Sequence, residues 1–188
     1  MAITINGTGS ITGLTAGGLP DGSVTAADIE TSLDLTGKTV TLPSGTGGKI
    51  LQVVSATTST QVTNTTSTYA DSGLTDSITP VAAGSSILVL TSQSFYFLRT
   101  GNGEGVRVQL VRGSTVIFGA DAVDQYLVIG GASSVYQQAR NAMTYLDTPT
   151  YTLGDAITYK TQFRPELTEA RAQSGSQESS IVLIEVAA

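Results

Sequence analysis

The side chains in this chain that could do chemistry are few, and almost all are carboxylates. No His and no Cys occur among the 188 residues, so Ser-His-Asp and Cys-His constellations lack their general base. A zinc site of ordinary type lacks its ligands, and neither a disulfide framework nor an iron–sulfur centre can form. Two close acidic pairs remain, Asp121 with Asp124 and Glu166 with Glu169. Two carboxylates facing each other across a cleft are the machinery of a glycosidase. These pairs instead lie a few residues apart in loop-like sequence, and there is no Trp to stack a sugar. They are expected to be solvated surface groups, with calcium ligation by Asp121 and Asp124 as the alternative. No catalytic residue, resident metal or cofactor is expected.

Glycine-rich stretches are the other candidates. A phosphate loop of the Walker type needs Gly five residues before a Gly-Lys pair and Ser or Thr after it. Gly48-Lys49 has Pro43 and Ile50 at those positions, so nucleotide binding is not expected. Gly101-Asn102-Gly103-Glu104-Gly105 precedes no helical pattern and is expected to be a hairpin loop. The sequons Asn6-Gly7-Thr8 and Asn64-Thr65-Thr66 are chance occurrences expected of so Thr-rich a chain.

The net charge of −6 argues against a partner held through phosphates, which needs a basic face. No apolar run has transmembrane length, and the residues after Met1 lack the charged-then-apolar order of a secretory signal. The expectation is synthesis in a cytoplasm, with no membrane insertion.

The elements that would position any site divide unevenly. Ten of the 21 glycines fall before residue 49, whereas all six arginines lie between Arg99 and Arg171. The chain is expected to divide at Gly45-Thr46-Gly47-Gly48 into an N-terminal arm, 1–48, and a domain, 49–188. The arm is mostly Thr, Gly and Ser with isolated aliphatics, which cannot bury enough apolar surface to fold alone. Its one helix candidate is Thr25 to Leu33, with Thr25 as cap and Asp28 three residues on. That helix is too short to stand without docking. The arm is therefore expected to be an attachment device, with Ile3, Ile5, Ile11, Leu14, Leu19, Ile29 and Leu33 as its contact residues.

From Lys49 onward the pattern is strand after strand. Expected runs are Lys49 to Ser55, Leu74 to Thr79, Ser86 to Leu98, Val106 to Leu110, Val116 to Phe118, Val135 to Leu146, Ile157 to Phe163 and Ile181 to Val186. The Thr-rich stretch Thr57 to Thr68 favours extended backbone, and Arg112-Gly113-Ser114-Thr115 is expected to be a tight hairpin. So many short strands with no helix between them indicate an all-β antiparallel sandwich. In the run Ser86 to Leu98, Ile87, Val89, Phe95 and Phe97 share one face and Leu88, Leu90 and Leu98 the other. Val182, Ile184 and Val186 likewise oppose Ile181 and Leu183. Strands apolar on both faces need their outer face covered, by the domain's own loops or by another subunit. Leu88, Leu90, Tyr145, Val182, Ile184 and Val186 are the candidates for a subunit seam. Tyr145 is included because Tyr joins an apolar body to a polar tip.

Taken together these segments carry a family likeness. Ile3 to Leu14 and Leu19-Pro20-Asp21-Gly22-Ser23-Val24 resemble the N-terminal segments of tailed-bacteriophage fibre and capsid-decoration proteins. Gly48-Lys49-Ile50-Leu51-Gln52-Val53-Val54, Tyr69-Ala70-Asp71-Ser72-Gly73-Leu74 and Ile78-Thr79-Pro80 resemble the start of phage domains with a jelly roll like that of tumour necrosis factor and complement C1q (TNF/C1q-like). Ser85 to Leu90 and Ser180 to Val186 fit its inner strands. The resemblance implies a homotrimer, a virion location and no catalysis. It leads to the expectation of a non-enzymatic virion structural protein, a trimer fixed by its arm to phage capsid or tail proteins. It would act as a capsid decoration (cement) protein or as a short fibre. The alternative is a glycan-binding adhesin, a tail-fibre receptor-binding protein facing a host surface glycan, with a depolymerase more distant. No nucleic acid partner is expected.

Overall fold

The computed structural model of the chain describes residues 4–5, 11–12, 49–99, 105–119, 125–126, 135–166 and 168–188. Contacts divide the chain into two units, Met1–Ser44 and Gly45–Ala188. In the first, β1 (Thr4–Ile5) pairs antiparallel with β2 (Ile11–Thr12), Ile5 opposite Ile11. The helix expected over Thr25 to Leu33 lies outside the described residues.

In the second unit every described regular element is a strand, apart from one 3-10 turn at Ser174–Ser176. The strands are β3 (Ile50–Thr58), β4 (Val62–Asn64), β5 (Ala70–Ile78), β6 (Ser86–Arg99), β7 (Gly105–Arg112), β8 (Thr115–Phe118), β9 (Gln125–Tyr126), β10 (Val135–Asp147), β11 (Ile157–Pro165), β12 (Glu169–Ala172) and β13 (Ser179–Val186). They form two antiparallel sheets packed as a sandwich. One has the order β3-β13-β6-β12-β4 with β10 on the other edge of β6, and the second has β5-β11-β7-β8 with β9 also on β7. The expected all-β antiparallel sandwich is therefore observed.

The strand β6 organises the first sheet. β13 pairs with its first half, Ser180 opposite Ser92 and Val186 opposite Ser86. β12 pairs with its second half on the same edge, Ala172 opposite Phe95 and Glu169 opposite Leu98. β12 and β13 thus lie end to end as one interrupted strand. β3 and β4 do the same alongside them, β3 against β13 and β4 against β12. The Thr-rich stretch Thr57 to Thr68, expected to favour extended backbone, is strand only in part. The run breaks between Thr58 and Val62 and ends at Asn64, whose side-chain oxygen caps a turn through the Thr66 N–H at 2.9 Å. Local Asn hydrogen bonding competes with the ladder and wins.

Period-2 alternation decides the core. Ile87, Val89, Phe95 and Phe97 from β6 and Ile181 and Leu183 from β13 are buried against Leu74, Ile78, Val106, Val108, Leu110, Tyr159 and Phe163 of the other sheet. The Phe95 and Phe163 rings meet at 5.5 Å across the layers. In the second sheet β5 carries a bulge. Lys160 is opposite Thr75 and Gln162 opposite Asp71, so Ser72, Gly73 and Leu74 face Thr161 alone. Gly73, inside the bulge, takes φ +81°, a conformation glycine adopts without steric cost, and Ser72 and Leu74 on either side of it are buried.

Candidate functional site

The outer face of the first sheet follows from its registers, since directly paired residues point to the same side. Val53 is opposite Ile184, Ile184 opposite Leu88, and Leu88 opposite Leu146. One row of aliphatic side chains thus crosses all four strands, β3-β13-β6-β10. The next row is Ser55, Val182, Leu90 and Thr144. Val53 is 56% exposed and Leu146 55%, and Ile50 and Leu51 at the start of β3 are exposed as well.

Of the expected seam residues, Leu88, Leu90, Val182, Ile184 and Val186 lie on this face, half-buried. Tyr145 does not. It is opposite Val89 and so belongs to the inner face, where its ring stacks on Phe118 at 5.3 Å and packs against the core. The outward neighbour of Tyr145 is Leu146, which sequence reasoning did not single out. The signal was its one-residue offset in an alternating strand.

Farther along β6 the same face changes character. Thr57, Ser180, Ser92 and Ala142 form a row of small residues. Beyond it Tyr96 stacks on Tyr136 at 4.8 Å, and the Arg171 guanidinium sits 5.8 Å from the Tyr96 ring centre. Of the expected attachment residues, Ile5 and Ile11 are paired in β1 and β2. Ile3, Leu14, Leu19, Ile29 and Leu33 lie outside the described residues, as do Asp121 and Asp124.

Beneath the row of small residues the core contains a polar band. Thr161 Oγ1 donates to Gln93 Oε1 at 2.8 Å and shares a 2.5 Å hydrogen bond with Ser72 Oγ. The Gln173 amide, oriented to suit its neighbours, faces the carbonyls of Thr60, Ala172 and Ser72 and accepts from Gln93 Nε2 at 2.7 Å. Gln173 is fully buried, with φ +53°. It sits where both interrupted strands break, so one side chain satisfies backbone groups that the ladder leaves behind. The signal for this band was present: Thr91 and Gln93 fall between the apolar inward positions of β6.

One end of the sandwich carries two buried carboxylates. Asp147 accepts from Arg112 Nη1 at 2.7 Å on both oxygens and from the Tyr159 hydroxyl at 2.7 Å. Burial, then the Asp147 hydrogen bond and charge, push the Tyr159 phenol well above its ordinary range. Glu185 is fully buried among neutral donors. It accepts from Gln52 Nε2 at 2.7 Å, from the Val81 N–H at 3.0 Å and from the Ala82 N–H at 3.1 Å. Burial raises its pKa, but the donors on Val81, Gln52, Ser85 and Ala82 outweigh that and hold it below the usual carboxylate range. Tyr151 clamps the same loop, donating to the Ala82 carbonyl at 2.6 Å and accepting from the Ser85 N–H at 2.9 Å.

Glu166 and Glu169 are each ion-paired to an arginine of their own. Glu166 is bonded to Arg107, which holds its carboxyl below the ordinary range, and Glu169 to Arg171 at 2.6 Å. Among the described residues no group of three or more His, Cys, Asp or Glu side chains is placed to hold a metal ion. No protein-family model matches the chain, and no curated protein matches it.

Proposed function

We propose that this chain is a non-enzymatic bacteriophage virion structural protein, a homotrimer whose domain is a TNF/C1q-like jelly roll and whose N-terminal arm fixes it to the particle. The observation that carries the reading is the aliphatic row Val53–Ile184–Leu88–Leu146 across the sheet face, exposed at its two ends and half-buried at Ile184 and Leu88. Contiguous exposed aliphatics on a sheet face mark a surface that is covered in the assembled protein.

Strand order supports the jelly roll. With β3–β4 and β12–β13 each counted as one interrupted strand, and the two-residue β9 left aside, the described residues of the domain form eight main strands in chain order. The first sheet then runs first-eighth-third-sixth, and the second runs second-seventh-fourth-fifth. Two interlocked Greek keys of this kind define a jelly roll. The phage role rests on the resemblance of the arm and of the first strands to virion appendage segments.

Light scattering of the purified chain tests the assembly. The expected mass is three times 19.3 kDa, and a monomer at micromolar concentration overturns the reading. Deletion of residues 2–47 tests the arm. The remaining domain is expected to fold and to form trimers, but not to enter virions. Wild-type occupancy of particles by the truncated protein would assign attachment elsewhere. Copy number on the particle then separates decoration, with hundreds of copies, from a fibre, with far fewer.

A further inference from the structure

The strand β3 pairs with β13 on one side and with no described strand on the other. A free edge offers unpaired N–H and C=O groups to any strand that fits, and proteins normally blunt such edges with short strands, bulges or charge. The other edges of this sandwich are blunted in these ways. β4 is three residues long and β8 four. β5 carries the bulge at Gly73 together with Asp71 and Asp76, and β10 has Arg140 near its middle. In β3 the stretch Gln52-Val53-Val54-Ser55-Ala56-Thr57-Thr58 has no charge, no Pro and no Gly. It keeps unbroken register with β13, and the strand's irregularity falls before it, between Ile50 and Gln52. Ile50, Leu51 and Val53 are also exposed.

We propose that this edge pairs with the same edge of a second copy, antiparallel and two-fold symmetric about Ser55. In that register Gln52 of one copy faces Thr58 of the other, Val53 faces Thr57, and Val54 faces Ala56. Directly paired residues point to the same side, so the outward Val53, Ser55 and Thr57 meet outward residues and the inward set meets inward residues. Charge favours a copy as the occupant. At a net charge of −6 two copies repel one another, and self-pairing of β5 would add two aspartates from each chain to the contact. Self-pairing of β3 sets no charge against a charge, and its Val–Thr pairs are β-branched on both sides, which suits a sheet. The contact uses the sheet edge, whereas the proposed trimer uses the sheet face, so it links trimers to one another. A seven-residue pairing falls well short of the roughly 20–30 residues a side of a stable interface. The link is therefore weak. Dilute protein keeps the mass set by the face, and pairing appears as concentration approaches millimolar, as it does where copies stand side by side on a surface.

Sedimentation equilibrium of the full chain, from micromolar to near-millimolar concentration, tests the proposal. The average mass is expected to rise above its dilute value. Ser55→Lys sets like charges directly opposite each other across the two-fold axis and is expected to weaken the pairing about tenfold or more, with the dilute mass unchanged. Trapping gives a second readout, because the chain has no Cys. Directly opposed residues of an antiparallel pair stand about 4.5–5.5 Å apart at Cα, within reach of a disulfide. Ser55→Cys is therefore expected to oxidise to a linked dimer about tenfold or more faster than Val116→Cys, whose residue is exposed on the short edge β8. The proposal is overturned by a wild-type mass that does not rise, by a rise that Ser55→Lys leaves intact, or by cross-linking no faster at Ser55 than at Val116. Loss of the dilute mass in Ser55→Lys also overturns it, by placing β3 within the trimer seam. A Ser55→Cys thiol that is shielded in dilute protein and uncovered by deleting residues 2–47 overturns it too, by giving the edge to the chain's own arm. A monomeric dilute mass would overturn the trimer and leave the edge test in force.

Discussion

The two outer faces of the sandwich have opposite chemistry. On the β3-β13-β6-β10 sheet, the outward row Val53–Ile184–Leu88–Leu146 is entirely aliphatic. On the β5-β11-β7 sheet, the outward positions form a polar chain. Lys160 and Gln162 both donate to Asp71, at 2.8 and 2.7 Å, and Gln109 donates to Gln162 at 2.8 Å. Arg107 and Arg164 continue it toward Glu166. Both sheets close the same core, so fold stability does not explain the difference. An antiparallel sheet normally keeps one face for water. The second sheet does so, and in the proposed trimer the first is covered.

Placing a charge on each side of β13 gives the largest contrast. Leu183 is fully buried in the core and Ile184 points outward. Leu183→Asp buries an unpaired carboxylate at a cost of several kcal/mol, and insoluble or unfolded protein is expected. Ile184→Asp leaves the core intact and is expected to give a folded monomer. Circular dichroism and sedimentation read the two outcomes. Folded trimers from Ile184→Asp would show that the aliphatic row is not the seam.

Next in size is Phe163→Ala. The side chain is fully buried, 5.5 Å from the Phe95 ring across the layers. Truncation is expected to cost about 3–5 kcal/mol, measured by urea unfolding. Unlike Ile184→Asp, it weakens the protomer without exposing or charging the seam. Loss of trimer in a variant that stays folded would tie the seam to core packing.

These contrasts were legible in sequence as far as alternation reached. The inward sets of β6, β11 and β13, including Phe163, Tyr159 and Ile157, all follow from period 2. Five of six seam candidates also lie on one outer face. Tyr145 was misplaced because residue type suggested an interface, whereas register against Val89 puts it inside. The short strand β12 was missed because four residues, Glu169 to Ala172, carry too little periodicity. The polar band and the two buried carboxylates were missed for another reason. Gln93, Gln173, Asp147 and Glu185 are tolerated inside only because partners distant in sequence satisfy them, and no local pattern announces such partners.

Glu185 tests that last class with a smaller effect. It lies on the core side of β13, two residues from Leu183, and its folded pKa is depressed. The ionised form therefore stabilises the fold above its unfolded pKa of about 4.3. That stability is lost as pH falls through the lower folded value. Glu185→Gln is expected to cost about 1–3 kcal/mol at neutral pH, because charge-assisted bonds to Val81 and Ala82 become ordinary ones. It is also expected to flatten the loss of stability below about pH 4. Urea unfolding at neutral and acid pH measures both. An unchanged acid slope would move the acid sensitivity to Asp71 or Glu166, whose carboxyls are also held low.

The polar face is expected to yield least. Lys160 and Asp71 form a 2.8 Å ion pair, but the Asp71 side chain is 57% exposed. The ammonium hydrogen bond lowers the Asp71 pKa in spite of partial burial, and Gln162 adds to it. Water and salt screen such a pair, so Asp71→Asn is expected to cost less than about 1 kcal/mol, with the difference from wild type shrinking at high ionic strength. Trimer mass should not change, since the substitution lies on the face already satisfied by its own hydrogen bonds. The opposite pattern, in which Asp71→Asn dissociates the trimer while Ile184→Asp does not, would reverse the roles of the two faces: the charged chain Lys160–Asp71–Gln162–Gln109 would then be the seam, and the aliphatic row would need a cover other than a second copy of this domain.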